Sequence, residues 1–461
     1  MQISMFDGDK PFKIDKPLRL ITLFSGYDSQ ALALKYIGVP FEHYRTCEWA
    51  IPSIQALKDL HFENDDTDYS VGMSKAQLVE TLYKSGVSAD YNIPLTKEQL
   101  QRYGESKLRT IYNNIRACHN LVSICNAKGE DLGIKETNKY CYLLTYSFPC
   151  QDLSAAGLSK GMERGSGTRS GMLWEVERLL KETKELPQVL LMENVKQVIG
   201  QKNIKAFAEW IAFLDKLGYH SKWQVINATD FSIPQNRERC FMVSVLGNHY
   251  YEFPKVIGNK LQLKDVLEKN VADRYYLSEK IVETYYKRNV NYIIQRSHSF
   301  NKGCKIVGLL GGKFEHTLDL TRRVYDVNAV APTITTCGGG NTEPKIIVFD
   351  NYNNCVKADQ SSVGTLTRNC GNDAIRNGVK IVEKECDYRV RKLTERECGR
   401  LMGVKDDDIS KIGKNLSRSA QYHTFGDSIV TSCLMAIFGK MFNVDYESKI
   451  KELTKKITGE G

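Results

Sequence analysis

Only 11 prolines and 34 glycines are spread over the 461 residues, which excludes a collagen-like chain. With 42% hydrophobic and 26% charged residues, wholesale disorder is not expected either. No run approaches 18 uninterrupted apolar residues, so no membrane-spanning helix is expected. The opening stretch MQISMFDGDKPFKIDK has acidic residues and no apolar centre, unlike a secretory signal. A cytoplasmic protein is the expectation. The 13 cysteines include no CxxC pair and no Cys/His cluster, so neither a zinc site nor a disulfide framework is indicated and no metal is expected.

What is there reads as two or three domains by length. Lysine and arginine exceed aspartate and glutamate by 64 − 55 = 9. Within 245–390, 21 basic residues face 16 acidic ones, a surplus that suits a nucleic-acid partner without establishing one. The chain opens with a strand at 18–24, a turn Ser25-Gly26-Tyr27-Asp28-Ser29 and a helix at 30–37 stopped by Gly38. A second strand, 41–47, ends at Glu48. This is the layout of a nucleotide-binding βαβ unit, yet one glycine stands where three are diagnostic, so a purely structural unit fits equally. Residues 61–139 read as a polar helical insertion with capping boxes at Ser74/Gln77 and Thr96/Gln99 and a longer helix near 107–125. Strands return at 141–148 and 189–192, both apolar enough for a sheet covered on two faces. After a helix at 204–217, strands 221–228 and 239–246 pair around Ser232-Ile233-Pro234.

Beyond 247 the texture changes to short β-like stretches between Asn/Gly/Thr-rich turns. Two of them, 331–338 and 363–371, echo each other and lead to strands at 345–348 and 380–382. A duplication and recurrent turn chemistry both account for this. A capping box at Thr394/Glu397 and an amphipathic helix at 429–441, packing back on the first domain, close the chain. The fold expected is α/β: a doubly wound, Rossmann-like domain with a mixed sheet, plus a smaller irregular β-rich domain. The domains expected are 1–247, 248–390 and 391–461.

Strand 141–148 delivers Pro149-Cys150-Gln151 at its C-terminal end, where α/β sheets hold their chemistry. Most cysteines are inert buried thiols; one followed by a glycine-rich loop is a candidate nucleophile. The next strand ends in Glu193-Asn194-Val195, which brings a carboxyl alongside if the strands are neighbours. Period-two alternation puts Gln235, Arg237 and Arg239 on one face, able to hold a phosphate or carboxylate, or simply solvated.

Together these segments resemble the DNA (cytosine-5)-methyltransferase family, in order and across nearly the whole chain. Phe24-Ser25-Gly26 is similar to its cofactor loop and Glu48-Trp49 to its acid–aromatic pair. Pro149-Cys150-Gln151, Glu193-Asn194-Val195 and Gln235-x-Arg237-x-Arg239 match its nucleophile, ENV and QxRxR motifs. The stretch from Arg391 through Glu397 to Gly403 is similar to its helix after the recognition domain, and Gly426-Asp427-Ser428-Ile429 to its terminal GNSV motif. Three departures stand out: Asp28 at a usual glycine, Asp427 at a usual asparagine, and no adenine-binding acid near 121–124.

The resemblance implies methyl transfer from S-adenosylmethionine to C5 of a cytosine flipped out of double-stranded DNA, through a covalent Cys150–C6 adduct. It implies Cys150, Glu193, Arg237 and Arg239 as catalytic residues. Phe24, Ser25, Gly26, Tyr27, Asp28, Glu48, Trp49, Asp427, Ser428 and Ile429 are the implied cofactor set. A closing lid at 153–173 and the 248–390 region as target-recognition domain give the DNA contacts: Gln151, Ser154, Lys160, Arg164, Arg169, Gln235, Arg322, Arg323, Thr335, Thr336, Gly338 and Gly339. A monomer of the bacterial cytoplasm, nucleoid-associated on DNA, follows. Its role is restriction-modification or protection of host or phage DNA, with a companion endonuclease on the same site as a possible partner. A tRNA cytosine-C5 methyltransferase and an inactive DNA-binding regulator are the alternatives.

Overall fold

The computed structural model describes residues 10–150, 153, 161–165, 168–277, 303–310, 319–337, 342–349 and 388–459. In chain order, a short β1 (Lys10–Pro11) is followed by β2 (Leu18–Leu23), β3 (Glu42–Cys47), β4 (Cys141–Tyr146), β5 (Val189–Val195), β6 (Tyr219–Asn227), β7 (Glu238–Leu246) and β8 (His249–Tyr250). Six of them form one sheet of order β3-β2-β4-β5-β7-β6. The first four are parallel, while β7 runs antiparallel to both neighbours, so the sheet is mixed as expected.

Alternation along the strands separates two cores. Leu20, Leu143, Leu191 and Val243 point to one face. There they meet α1 (Ser29–Ile37) and the helix Thr431–Phe442. Ile21, Leu144, Leu190 and Met242 point to the other, under α6 (Leu173–Glu182) and α7 (Ile204–Lys216). The helix Thr431–Phe442, read from sequence as amphipathic, is buried on nearly all sides; only Lys440 is exposed. Each fully covered Leu, Met, Ile or Phe in it contributes roughly 1.5–3 kcal/mol. By length and composition alone, the stretch Arg418–Phe442 that contains it is apolar enough to cross a membrane, as a buried core helix also is. Its most apolar 18-residue window is 78% buried inside the protein, and the stretch is interrupted between the helices Arg418–Gly426 and Thr431–Phe442.

The insertion carries α3 (Lys75–Ser85), α4 (Lys97–Gln101) and α5 (Glu105–Ala117), which follow α2 (Ile51–His61), and both expected capping boxes form. The longer helix stops at Ala117, well short of 125. His119 and Val122 take positive φ, and Asn120 spends its side chain on the backbone N–H and carbonyl of Glu48 at 2.9 Å each. Those bonds turn the chain away from the helix and lay residues 119–121 beside Thr46 of β3.

A second sheet of order β12-β11-β10-β9 comprises β9 (Ile306–Leu309), β10 (Arg323–Tyr325), β11 (Lys345–Phe349) and β12 (Tyr388–Lys392). The second half of the possible repeat, 363–371 and 380–382, lies outside the described residues.

Candidate active site

The C-terminal ends of β2 to β5 open onto one cavity of about 330 Å³, within the range of small-molecule sites. Phe24, Glu48, Trp49, Cys150, Glu193 and Asp427 are among its walls. It therefore brings together residues that lie up to 405 positions apart in the chain, from Phe24 to Ile429.

β2 ends because Phe24 turns into the left-handed region at φ 59°, a conformation that costs a non-glycine residue on the order of 1 kcal/mol. Ser25 Oγ donates to Thr22 O at 2.8 Å and Gly26 N donates to Glu48 Oε2 at 2.9 Å, which ties the loop to the end of β3. Glu48 Oε1 also accepts Ala50 N at 2.7 Å. Burial, with Asp427 adding to it, pushes the Glu48 pKa up to about 7 against the pull of those N–H donors. Ser25 and Trp49 line the cavity, as do Asp427, Ser428 and Ile429. Tyr27 and Asp28, expected in the cofactor set, are fully buried and do not line it. Tyr27 packs edge-on against Phe425. Asp28 caps α1, accepting Ala31 N at 2.9 Å.

Cys150 follows β4, and the geometry around it is fixed from β5. Asn194 Nδ2 donates to Phe148 O at 2.9 Å, and Ser170 Oγ donates to Pro149 O at 2.8 Å. β4 and β5 are hydrogen-bonded neighbours, so Glu193 emerges into the same cavity. Ser147 Oγ donates to Glu193 Oε2 in a short bond, and Arg239 Nε lies 3.2 Å from Oε1. Both carboxylate oxygens are thus held. Burial pushes the Cys150 thiol up; Asp427 and Glu193 add to the rise, and Arg239 and Arg237 oppose it. As it stands the sulfur is a thiol that needs a proton acceptor or a nearby cation to become a nucleophile.

The QxRxR residues divide. Arg239 is aimed at Glu193. Arg237 is buried; its Nη1 donates to Ile334 O at 2.8 Å and its Nη2 to Gly426 O and Ser428 O at 2.9 and 2.7 Å. Burial and the neighbouring Arg239 pull it below the usual arginine range. Gln235, expected at DNA, is instead wholly buried: its Nε2 donates to Leu401 O at 2.7 Å and its Oε1 accepts Ile334 N at 3.0 Å. Period-two alternation placed these side chains on one face but could not say that another part of the chain covers that face.

Of the other expected DNA contacts, Arg169 lines the cavity and donates to Asn92 Oδ1 at 2.9 Å. Arg164 pairs with Glu177 and lies 3.8 Å over the Trp174 ring. Arg322 Nε donates to Leu310 O at 2.9 Å, and Arg323 opens β10. The backbone of Thr335 and Thr336 passes close against Gly426. Gln151, Ser154, Lys160, Gly338 and Gly339 lie outside the described residues.

Among the wall residues not anticipated are Tyr91, Asn92, Ser123 and Ser147. Ser123 sits where the missing adenine-binding acid was sought. Ser147 was within reach of sequence reasoning, three positions before Cys150 on a strand adjoining Glu193. Tyr91 and Asn92 belong to the insertion, which carries no sequence signal linking it to the site.

The sequence profile described as C-5 cytosine-specific DNA methylase matches residues 100–443. The chain is 34% identical over 334 residues to the orphan methyltransferase M.SssI of Spiroplasma monobiae, covering 72% of this chain and 82% of that protein. It is 28% identical over 428 residues to the type II methyltransferase M2.ScrFI of Lactococcus lactis subsp. cremoris, covering 92% and 99%. Among solved structures, the S. pombe Dnmt2 methyltransferase matches with a TM-score of 0.52 at 15% identity, over 92% of this chain and 98% of that one. That last likeness bears on the fold alone.

Proposed function

Because the chain belongs to the C-5 cytosine-specific DNA methylase family, we propose that it methylates C5 of a cytosine extruded from duplex DNA, with Cys150 as nucleophile and S-adenosylmethionine as donor. The activity of a DNA (cytosine-5)-methyltransferase comes with that membership. The observation that carries the residue-level reading is the convergence of Cys150, Glu193 and Arg239 on one cavity with Glu48 and Trp49.

The residues fit the cofactor. A buried carboxyl with its pKa lifted to about 7, Glu48, suits hydroxyls and a cation, while Phe24 and Trp49 offer aromatic surface to a flat ring. When bound, S-adenosylmethionine supplies an electrophilic methyl group. The chain's own task is to make C5 nucleophilic. Cys150, as thiolate, adds its electron pair to C6, and the ring acquires enamine character at C5. Glu193, oriented by Ser147 and Arg239, meets N3 and the exocyclic amine and offsets the charge that arrives with the sulfur. Loss of the C5 proton and expulsion of the Cys150 sulfur then restore the aromatic ring. Arg169, at the cavity wall, is the described cation best placed for the flanking phosphate.

The 248–390 region reads the target, and the protein works as a monomer on double-stranded DNA in the cytoplasm. Relatives named as type II and orphan methyltransferases support a role in restriction-modification or in DNA protection, with or without a companion endonuclease.

Incubation with labelled S-adenosylmethionine and duplex DNA is expected to mark cytosine C5, with tRNA a poor competitor. Label only on adenine N6 or cytosine N4 overturns the reading. Cys150→Ser is expected to lose turnover while still binding DNA, and full activity in it removes the covalent step.

A further inference from the structure

Two histidines that belong to none of the motifs, His43 on β3 and His61 at the end of α2, meet the chain just after the Phe24-Ser25-Gly26 loop. Neither lines the cavity. His43 Nε2 lies 2.8 Å from Oδ2 of Asp28, whose side chain is fully buried. A carboxylate only accepts, so Nε2 is the donor. The His43 ring is boxed in by Phe62, His61 and Phe41, at 4.8, 5.3 and 6.0 Å between centroids. His61 Nε2 lies 3.0 Å from Tyr27 O and 3.1 Å from Asp28 O. Burial, with His43 adding to it, pulls the His61 pKa down to about 4. The ring is therefore neutral, and the nitrogen facing two carbonyls carries its hydrogen.

From Asp28 the web runs on to the loop. Thr22 Oγ1 donates to Asp28 Oδ2 at 2.8 Å and stands 2.9 Å from Ser25 Oγ, while Asp28 N donates to Ser25 O at 2.8 Å. Ser25 lines the cavity, and Gly26 gives its N–H to Glu48. At position 28 the resemblance expects a glycine, which has no side chain to be held. Aspartate, at a left-handed φ of 60°, puts an anchor to β3 where glycine leaves a hinge. Groups that must stay within a fraction of an ångström of a working geometry need such outer support.

We propose that His43 and His61 are positioning residues for the cofactor loop, His43 acting through the Asp28 carboxylate and His61 through the Tyr27 and Asp28 carbonyls. Together they hold Ser25 and Gly26 in place for S-adenosylmethionine. This rests on the reading of the cavity as the cofactor's.

The test is calorimetric binding of S-adenosylmethionine to the full chain, with duplex affinity and thermal melting measured alongside. His43→Ala alone leaves a buried carboxylate without its donor and can fail to fold. The double variant Asp28→Gly/His43→Ala removes both partners, so it is expected to melt near the parent. It should nevertheless bind S-adenosylmethionine about five- to tenfold more weakly, the worth of one hydrogen bond, with duplex affinity unchanged. His43→Gln, whose amide still donates, should keep most of the affinity. His61→Phe, which keeps a ring and loses the N–H, should weaken the cofactor about three- to fivefold. A double variant within twofold of the parent shows that the loop holds itself and overturns the role of His43; the same result for His61→Phe overturns that of His61. Duplex affinity falling in step with cofactor affinity overturns both, because the damage is then general. A parent chain that binds no S-adenosylmethionine fails earlier, at the cofactor reading itself.

Discussion

Asp28 and Glu48 show how single residues in the cofactor loop can depart from, or keep, what resemblance implies. A glycine at position 28 would accept φ 60° without strain; aspartate is among the few other residues that tolerate it. Burial pushes the Asp28 carboxyl up, but His43, 2.8 Å away, together with the Ala31 N–H, more than reverses this and holds it below the usual carboxylate range. Its charge is satisfied beneath the loop by His43 and Thr22, away from the cavity, so the substitution does not argue for an inactive protein. Glu48 is the opposite case, a carboxyl lifted to about 7 and lining the cavity. A cationic cofactor favours its ionised form, so binding should release a proton. Affinity for S-adenosylmethionine is then expected to climb from pH 6 to pH 7, by at most about tenfold per unit, and to level off above. Glu48→Gln should bind more weakly at pH 8 and lose the slope. A parent affinity that is flat across this range, measured by calorimetry, contradicts the assignment.

Elements were legible where the signal was local. The strand–turn–helix opening, both capping boxes of the insertion and the Thr394/Glu397 box depend on residues within a few positions of each other. What failed depended on distant partners. The helix α5 ends early because Asn120 bonds to Glu48, and Gln235 is buried because residues 331–335 cover it. At the site, motif order carried Cys150, Glu193 and Glu48, whereas Tyr91 and Asn92, supplied by the insertion, became visible only as walls of the folded cavity. The same contrast holds at β12 and the helix after it. The capping box could be read, but not that Arg391 reaches round to grip Glu397 with two bonds of 2.7 Å, both residues being buried. Arg391→Met leaves that carboxylate unpaired in the interior and is expected to cost about 3–5 kcal/mol of unfolding free energy. Arg391→Lys, which cannot bond in parallel, should fall between. Urea titration yielding a loss under about 1 kcal/mol for the methionine variant would show the pair to be dispensable.

Over the whole molecule, three stretches far apart in sequence meet at the turn before β7. Gln235 and Arg237 together hold Ile334, Leu401, Gly426 and Ser428 through backbone atoms, and Thr333 Oγ1 donates to Asn236 O at 2.6 Å. The segment around Thr333–Thr336 and the cavity-lining segment Asp427–Ile429 are thereby fastened to one anchor. Gly426 is where they touch: a Cβ there would run into the carbonyl of Thr335 and the amide of Thr336, backbone atoms that cannot swing aside. Gly426→Ala must therefore displace residues 335–336, residues 427–429 or both. Since only the latter line the cavity, a change limited to one ligand would mean that the segments move independently. If the anchor makes them a unit, S-adenosylmethionine affinity and duplex affinity should fall together, each by about tenfold or more, whereas Cys150→Ser spares both. Calorimetry and mobility shift on the same preparation separate these cases. Values within twofold of the parent for either ligand would show that cofactor and DNA are held by parts that do not communicate through Gly426.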